Sequence, residues 1–149
     1  MNLRRWPGPW LAIQFLWALP LTALGFLIVI LTWYFDRKQR VSHVQYAQAA
    51  IIFVVHGKLL NKLLRHHPLG HMQAVALGCC ILAQDAACAQ STLTHELVHV
   101  GQALRWGVLF PFAYVLASLW AWARGGDLYR DNVFERAAFA AERAAENRF

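Results

Sequence analysis

Segment 94–100 contains two histidines and a glutamate at the spacing found in the zinc-binding motif of many hydrolases. The segment reads T-H-E-L-V-H-V, so His95, Glu96 and His99 form an H-E-x-x-H motif. On an α-helix, residues four apart lie about 40° apart around the axis, and both imidazoles would therefore face one point. Glu96 would lie beside the metal as the general base for an attacking water, without being a ligand. The motif predicts a Zn²⁺ site with hydrolytic chemistry.

The flanking residues predict the helix that the motif requires. Ser91 and Thr92 can cap its start, and Gly107 is placed to end it. Apolar residues recur between these limits at helical spacing, namely Leu93, Leu97, Val100 and Leu104. The alternative is an ordinary amphipathic helix that carries two histidines and no metal.

Two histidines do not complete a zinc site, because a third protein ligand is needed. The metzincin extension would place glycine at 102 and histidine at 105, and Gln102 and Arg105 exclude that family. We therefore expect a carboxylate from the downstream segment as the third ligand. The acids available there are Asp127, Asp131, Glu135, Glu142 and Glu146.

The spacing of these motifs resembles that of the gluzincin metallopeptidases, whose third zinc ligand is a helical glutamate. H-E-x-x-H is followed some 35 residues later by Asn132-x-x-Glu135 at the start of a second helix. The chain is also similar to short bacterial membrane-associated proteins of unassigned function, which share H-E-L-V-H-V-x-Q, a following Trp-Gly and Y-R-D-N-x-F-E-R. The similarity covers roughly residues 90–140. It implies a zincin-like pair of helices with Glu135 as third ligand; Glu142 is the next alternative, followed by Asp127.

The chain departs from the gluzincin pattern around this glutamate. Gluzincins commonly carry Asn directly before the ligand and an acid four positions after it, whereas Asn132 lies three residues before Glu135 and position 139 is Phe. Asp127 or Asp131 is then expected to orient a histidine through its second ring nitrogen. Asn132-x-x-Glu135 also has the offset of a capping box, which leaves a purely structural role for Glu135 open.

Tyr129 and Arg130 are candidates for the donor that polarises a carbonyl beside the metal. An interfacial tyrosine and a surface arginine are the alternative interpretation of the same pair.

The composition indicates a membrane component around this site. Of the 149 residues 58% are apolar and only 15% are charged, and the net charge is +6. Residues 1–65 contain eight Lys or Arg and a single acid, Asp36, which favours anionic lipid head groups as a partner. No motif typical of nucleic-acid binding accompanies the basic half, so nucleic acid is not an expected partner. Three cysteines, two of them adjacent, predict reduced thiols rather than a disulfide framework.

Residues 6–35 carry no formal charge and are long enough for a membrane anchor. Pro20 and Gly25 interrupt the run, which allows a kinked, tilted transmembrane helix or a re-entrant hairpin. A cleaved signal peptide is less expected, because the run is about twice a usual signal core of 7–15 residues. More Lys and Arg follow the run than precede it, which predicts that the body of the protein lies on the cytoplasmic side of a bacterial inner membrane. Residues 106–123 form a second uncharged segment, interfacial or transmembrane.

The remaining segments complete an α+β, mainly α fold. Residues 49–55 and 72–82 are expected strands of a small sheet, and the spacing of the leucines in residues 59–64 favours a short amphipathic helix, with a strand as the alternative. A closing helix begins at Asn132. We therefore expect an anchor at 1–40 and a zincin-like domain at 41–149. The strand at 72–82 is the expected edge that pairs with an extended substrate.

The sequence thus predicts a membrane-anchored zinc metallohydrolase, most plausibly a peptidase acting on peptides or proteins. The rival hypothesis is a non-catalytic anchored protein that uses a structural or degenerate zinc site to bind a partner. Haem ligation between membrane helices is disfavoured, because neither apolar run contains a histidine.

Overall fold

The computed structural model describes residues 8–46, 50–67 and 72–147, and most of them are helical. In chain order the elements are α1 (Gly8–Phe35), β1 (Arg40–Tyr46), β2 (Ala50–His56), α2 (Lys58–Arg65), β3 (Ala74–Leu77), β4 (Cys80–Ala83), α3 (Ala86–Ser91), α4 (Leu93–Trp106), a 3-10 turn (Gly107–Leu109), α5 (Phe110–Ala123) and α6 (Val133–Glu146). The mainly helical class with a small sheet is confirmed. Residues 1–7 of the expected anchor and residue 49 of the first expected strand lie outside the described residues.

The sheet has four strands in the order β1-β2-β4-β3. β1 pairs with β2 and β3 pairs with β4 in antiparallel fashion, whereas β2 and β4 are parallel. The single strand expected at 72–82 is instead the hairpin β3–β4, because Gly78 adopts φ 59° and reverses the chain. β3 is an edge strand of this sheet.

The apolar helix α1 is continuous through Pro20, so the re-entrant hairpin is not formed. One side of α1 contacts the folded body, where Ala18, Leu21 and Thr32 are buried. The opposite side is exposed along the helix and is almost entirely apolar.

α4 ends where the sequence predicts it to end. Gly107 has φ 56°, a conformation that favours glycine, and a Cβ there would collide with the indole of Trp17 on α1. The start of α4 differs from expectation, because the Thr92 hydroxyl donates to the Cys88 carbonyl instead of capping α4.

The main core lies between α4 and the sheet. Val100 and Leu104 on α4 pack in one cluster with Ile52, Ile81 and Ala18. Because these residues are fully or almost fully buried, α4 is fixed in position and rotation, and its other face is presented towards α6.

Two helical stretches are long and apolar enough to cross a membrane, namely Ala12–Phe35 and Leu93–Ala123. The criterion considers only length and composition, and the core helix of a soluble protein or a signal sequence meets it as well.

Candidate metal centre

His95 and His99 lie on one face of α4, as the spacing predicts. Their Nε2 atoms are 3.1 Å apart and their ring centroids 4.9 Å apart. Both residues are buried, with 7% and 8% of their surface exposed. Phe139 packs edge-on against the His95 ring at 5.0 Å, which restricts its rotation.

Glu135 on α6 completes the cluster. Its Oε2 lies 3.1 Å from His95 Nε2 and its Oε1 lies 3.2 Å from His99 Nε2. The residue is 3% exposed. Burial by itself would raise the pKa of Glu135, but the hydrogen bonds to His95 and His99 outweigh it and hold the pKa well below its ordinary value. Glu135 is therefore an ionised carboxylate that faces both imidazoles.

The start of α6 is held by Asn132, which is completely buried. Its Oδ1 accepts from Phe134 N at 2.9 Å, and its Nδ2 donates to the Tyr114 carbonyl and the Ser118 hydroxyl on α5. Asn132 is thus the cap, while Glu135 contacts the histidines. The capping-box interpretation of Glu135 is not what the structure shows.

The second ring nitrogen of each histidine has its own partner. His99 Nδ1–H donates to Gln102 Oε1 at 2.8 Å, and Gln102 Nε2 donates to the Phe134 carbonyl. His95 Nδ1 lies 3.5 Å from Glu142 Oε2. These contacts hold the Nδ1 side of each ring, so the Nε2–H groups that donate to Glu135 carry the protons that would be released when a metal binds.

Asp127 and Asp131, which were expected to orient the histidines, are placed elsewhere. Asp127 Oδ1 accepts from the backbone N–H groups of Tyr129 and Arg130, and Asp131 Oδ2 accepts from Asp127 N. The backbone donors lower the pKa of Asp127. Both acids shape the exposed turn before α6, and the expectation for them was wrong because short-range turn bonds satisfy their carboxylates. Glu142, the alternative third ligand, lies behind His95 on its Nδ1 side.

The donor set fits a tetrahedral metal ion. Zn²⁺ bonds of about 2.0–2.1 Å place neighbouring ligand atoms about 3.3 Å apart. His95 Nε2 and His99 Nε2 are 3.1 Å apart, and they lie 3.1 and 3.2 Å from the two different oxygens of Glu135. One ligand atom from each residue can be chosen so that all three lie within 4.8 Å of one another. All three residues are buried, and neutral imidazoles with a carboxylate are common ligands of catalytic zinc. The residues can therefore hold a divalent cation.

Glu96 lies beside this cluster and is 5% exposed. Burial raises the pKa of its carboxyl, and the adjacent backbone of Ala76 on edge strand β3 opposes that shift. Its Oε2 is buried and has no hydrogen-bond partner within residues 8–46, 50–67 and 72–147. A buried carboxylate oxygen without a partner is costly, so Glu96 is suited to receive a proton or a donor from a bound molecule.

Two tyrosines approach Glu135. Tyr114 on α5 donates its hydroxyl to Glu135 Oε1 at 2.7 Å. Tyr129, a predicted site residue, packs its ring against Phe139 and also interacts with Glu135. Burial and the charge of Glu135 raise the pKa of Tyr129, so its phenol remains a protonated donor.

Sequence reasoning missed Tyr114 and Gln102. The available signal for Tyr114 was its spacing from Ser118, since these two polar residues lie i and i+4 in an otherwise apolar segment. Gln102 lies one turn after His99, where a side chain can reach back to Nδ1.

Comparison of the whole chain with protein-family models, with curated proteins and with solved structures finds no match.

Proposed function

We propose that the protein is a membrane-associated zinc-dependent metallohydrolase that cleaves peptide bonds. The observation that carries the proposal is the buried convergence of His95, His99 and Glu135, with the carboxylate of Glu96 beside them. This combination of two imidazoles, a carboxylate ligand and an adjacent free carboxylate is the donor set of hydrolytic zinc sites.

His95, His99 and Glu135 would hold the ion through Nε2 and the carboxylate. When bound, Zn²⁺ supplies Lewis acidity that polarises a carbonyl and lowers the pKa of water towards about 7. Glu96 accepts the proton that the water loses as its oxygen attacks the carbonyl carbon. As the C–N bond breaks, Glu96 returns that proton to the leaving amine. Tyr129 donates a hydrogen bond to the carbonyl oxygen as negative charge develops there.

The sheet edge beside the site supports a peptide as substrate. β3 is an edge strand, and Ala76 on this strand lies next to the carboxylate of Glu96, the predicted base. An extended peptide can add to such an edge by main-chain hydrogen bonds, which would bring its carbonyl groups close to Glu96. The zincin-like arrangement of α4 and α6 is part of this proposal.

The test uses the purified full chain in detergent, loaded with one equivalent of zinc and assayed on a mixed peptide library by mass spectrometry. We expect cleavage that a zinc chelator abolishes and that added zinc restores. Glu96→Gln should keep the bound zinc and lose turnover by at least about 10²-fold. His95→Ala should lose both, and Glu146→Gln, an exposed glutamate on the same chain, should change neither.

Hydrolysis that persists in Glu96→Gln would refute the role of that residue. Stoichiometric zinc with no cleavage in the wild-type chain would favour the rival hypothesis of a structural zinc site that supports partner binding.

A further inference from the structure

α1 is bound to the folded body along most of its length. Its contacts pass in turn over α4 and the 3-10 turn, the β3–β4 hairpin and the sheet. In chain order they include Leu21 with Ala103 and Phe110, Thr22 Oγ1 accepting from Cys79 N at 3.1 Å, Phe26 with Phe53 at 5.1 Å between ring centroids, and Ile28 and Val29 with the cluster of Val55, Leu60 and Leu82. The packed stretch from Leu21 to Thr32 alone is about 17 Å long.

Two glycines allow very close contact between α1 and the β3–β4 hairpin. A Cβ on Gly25 would lie 2.7 Å from Cys80 Cβ and 3.1 Å from the Leu77 carbonyl oxygen. A Cβ on Gly78 in the hairpin turn would lie closer still, 2.6 Å from the backbone N of Thr22. Lipid chains cannot enter between surfaces in such contact, so α1 does not have lipid on all sides.

This packing conflicts with a transmembrane α1. If residues 21–32 crossed the bilayer, the sheet beside them would lie at the same depth. The sheet is open, with β1 and β3 as its edges, and unpaired edge groups are not tolerated in hydrocarbon. α1 is long and apolar enough for a span, but the open sheet that packs against it does not fit into hydrocarbon.

The outer side of α1 is nevertheless suited to lipid. Its exposed residues are large and apolar, including Ile13, Leu16, Leu19, Leu24, Leu27, Ile30 and Leu31. Apolar residues are also exposed on the 3-10 turn, which packs against α1 and α5, and on α5 itself, namely Val108, Leu109, Phe112, Leu116 and Leu119. We call these residues of α1, the 3-10 turn and α5 the apolar platform.

Aromatic and cationic residues mark the ends of the platform. The Arg37 guanidinium lies 4.2 Å from the centre of the Trp33 ring just after α1, and the Arg124 guanidinium lies 5.1 Å from that of Trp120 just after α5. Trp paired with a cation is typical of the head-group region. Lys38 and Arg40 add positive charge next to Arg37, which suits anionic lipids.

We propose that the protein is monotopic: α1 lies in the plane of the membrane, with the apolar platform immersed in one leaflet and the body on the same side as both ends of α1. The occupant of the platform is the lipid bilayer. This inference stands on the packing of α1 and does not depend on the proposed hydrolase activity.

The test is a depth measurement on the full chain in vesicles of phosphatidylcholine with phosphatidylglycerol. Spin labels are placed singly at Leu16→Cys, Leu27→Cys and Ile30→Cys in a Cys88→Ser background, since Cys79 and Cys80 are buried. The three sites are exposed and lie within about 60° of one another around α1. Lys62→Cys on α2 is the control for a site in water.

The expected result is that the three α1 sites report one shallow depth, equal to within about 5 Å, while the α2 site reports water. A spanning helix would place Leu16 and Ile30 up to about 21 Å apart along the membrane normal, and such a gradient would overturn the proposal. Labels that show no oxygen enrichment in vesicles would also overturn it, since the platform would then be covered by protein.

Discussion

The hydrogen-bond partner of His99 Nδ1 fixes the orientation of this predicted metal ligand. Its Nδ1–H donates to Gln102, and Gln102 is itself held by the Phe134 carbonyl of α6. We predict that Gln102→Ala lowers zinc affinity by about 10–100-fold, because the ring loses its fixed orientation and tautomer. Competition with a chromophoric chelator measures this. Glu142→Gln should have a smaller effect, since its contact is longer at 3.5 Å and partly exposed; equal losses would contradict this ranking.

Substitutions of the two tyrosines near Glu135 should distinguish a residue that positions the metal ligand from one that takes part in turnover. Tyr114→Phe removes a 2.7 Å hydrogen bond to the ligand carboxylate, so we expect zinc affinity to fall by about 10-fold. Tyr129→Phe should leave zinc affinity within a few-fold and lower kcat by about 10²-fold, as loss of an oxyanion donor does. Parallel zinc titrations and steady-state kinetics distinguish the two. A loss of zinc affinity in Tyr129→Phe alone would reverse the assignment.

The pH dependence of zinc binding should follow the protonation of His95 and His99. The pKa of Glu135 lies below its ordinary value, so this ligand stays ionised as the solution is acidified. Burial by itself would lower the pKa values of His95 and His99, but the Glu135 carboxylate outweighs it and raises both above the ordinary value of about 6.5. Histidine must be neutral to bind. We therefore expect zinc affinity to be lost on acidification already at a higher pH than for ordinary histidines, with a slope of up to two protons per ion. A titration between about pH 5 and 9 measures this; a flat profile would contradict it.

Residue identities at the site were predictable to different degrees. H-E-x-x-H is a local pattern, and helix geometry converts its spacing directly into two convergent rings. Glu135 was predicted through resemblance and by elimination of other ligand sets. Asp127 and Asp131 were misassigned because their backbone partners depend on a turn geometry that composition does not reveal. In place of the acid expected at position 139, Glu142 reaches His95 from one further turn along α6.

At the scale of elements, the α4–α5 corner depends on one glycine. Gly107 combines positive φ with close contact to Trp17. Gly125 also has positive φ, 79°, but a Cβ added there would have no described residue within 4 Å. We predict that Gly107→Ala destabilises the fold by about 3 kcal/mol or more, and Gly125→Ala by only about 1–2 kcal/mol. Chemical unfolding in detergent measures both free energies. Equal values would show that the contact with Trp17 contributes nothing.

Helices were easier to predict than strands. α2, α4 and α6 appear close to their expected limits because apolar periodicity specifies them locally, and at α6 the Asn132 cap adds to it. The stretch 72–82 was assigned one strand although it forms two, since Gly78 reverses the chain with φ 59° at a point where the turn is in close contact with Thr22 on the distant α1. That long-range contact cannot be read from periodicity.

At the scale of the whole molecule, a metal would join parts of the chain that are far apart in sequence. His95 and His99 lie on α4, and Glu135 lies on α6. We predict that free zinc at 100 times its Kd stabilises the fold by about 2.7 kcal/mol, and that chelation removes this gain. Thermal unfolding with zinc or with chelator measures the shift. His95→Ala should show the same Tm under both conditions; a zinc-dependent shift in that variant would place the ion elsewhere.

The position of α1 was the least predictable feature of the molecule. Residues 6–35 specify an apolar helix but not its surroundings, because a lipid-embedded helix and one packed on a sheet have the same composition. Gly25 is the informative residue, since its missing side chain permits contact with Cys80.

The placement of Glu135 on the last helix also sets an order in time. A ribosome adds about 5–20 residues per second, so the 36 residues from 100 to 135 take roughly 2–7 seconds to synthesise. During that interval the ligand set consists only of the two imidazoles of α4, and α1 has already been made. The lipid-facing helix can therefore settle before the ion is captured, because the ligand set is complete only after α6 has been synthesised.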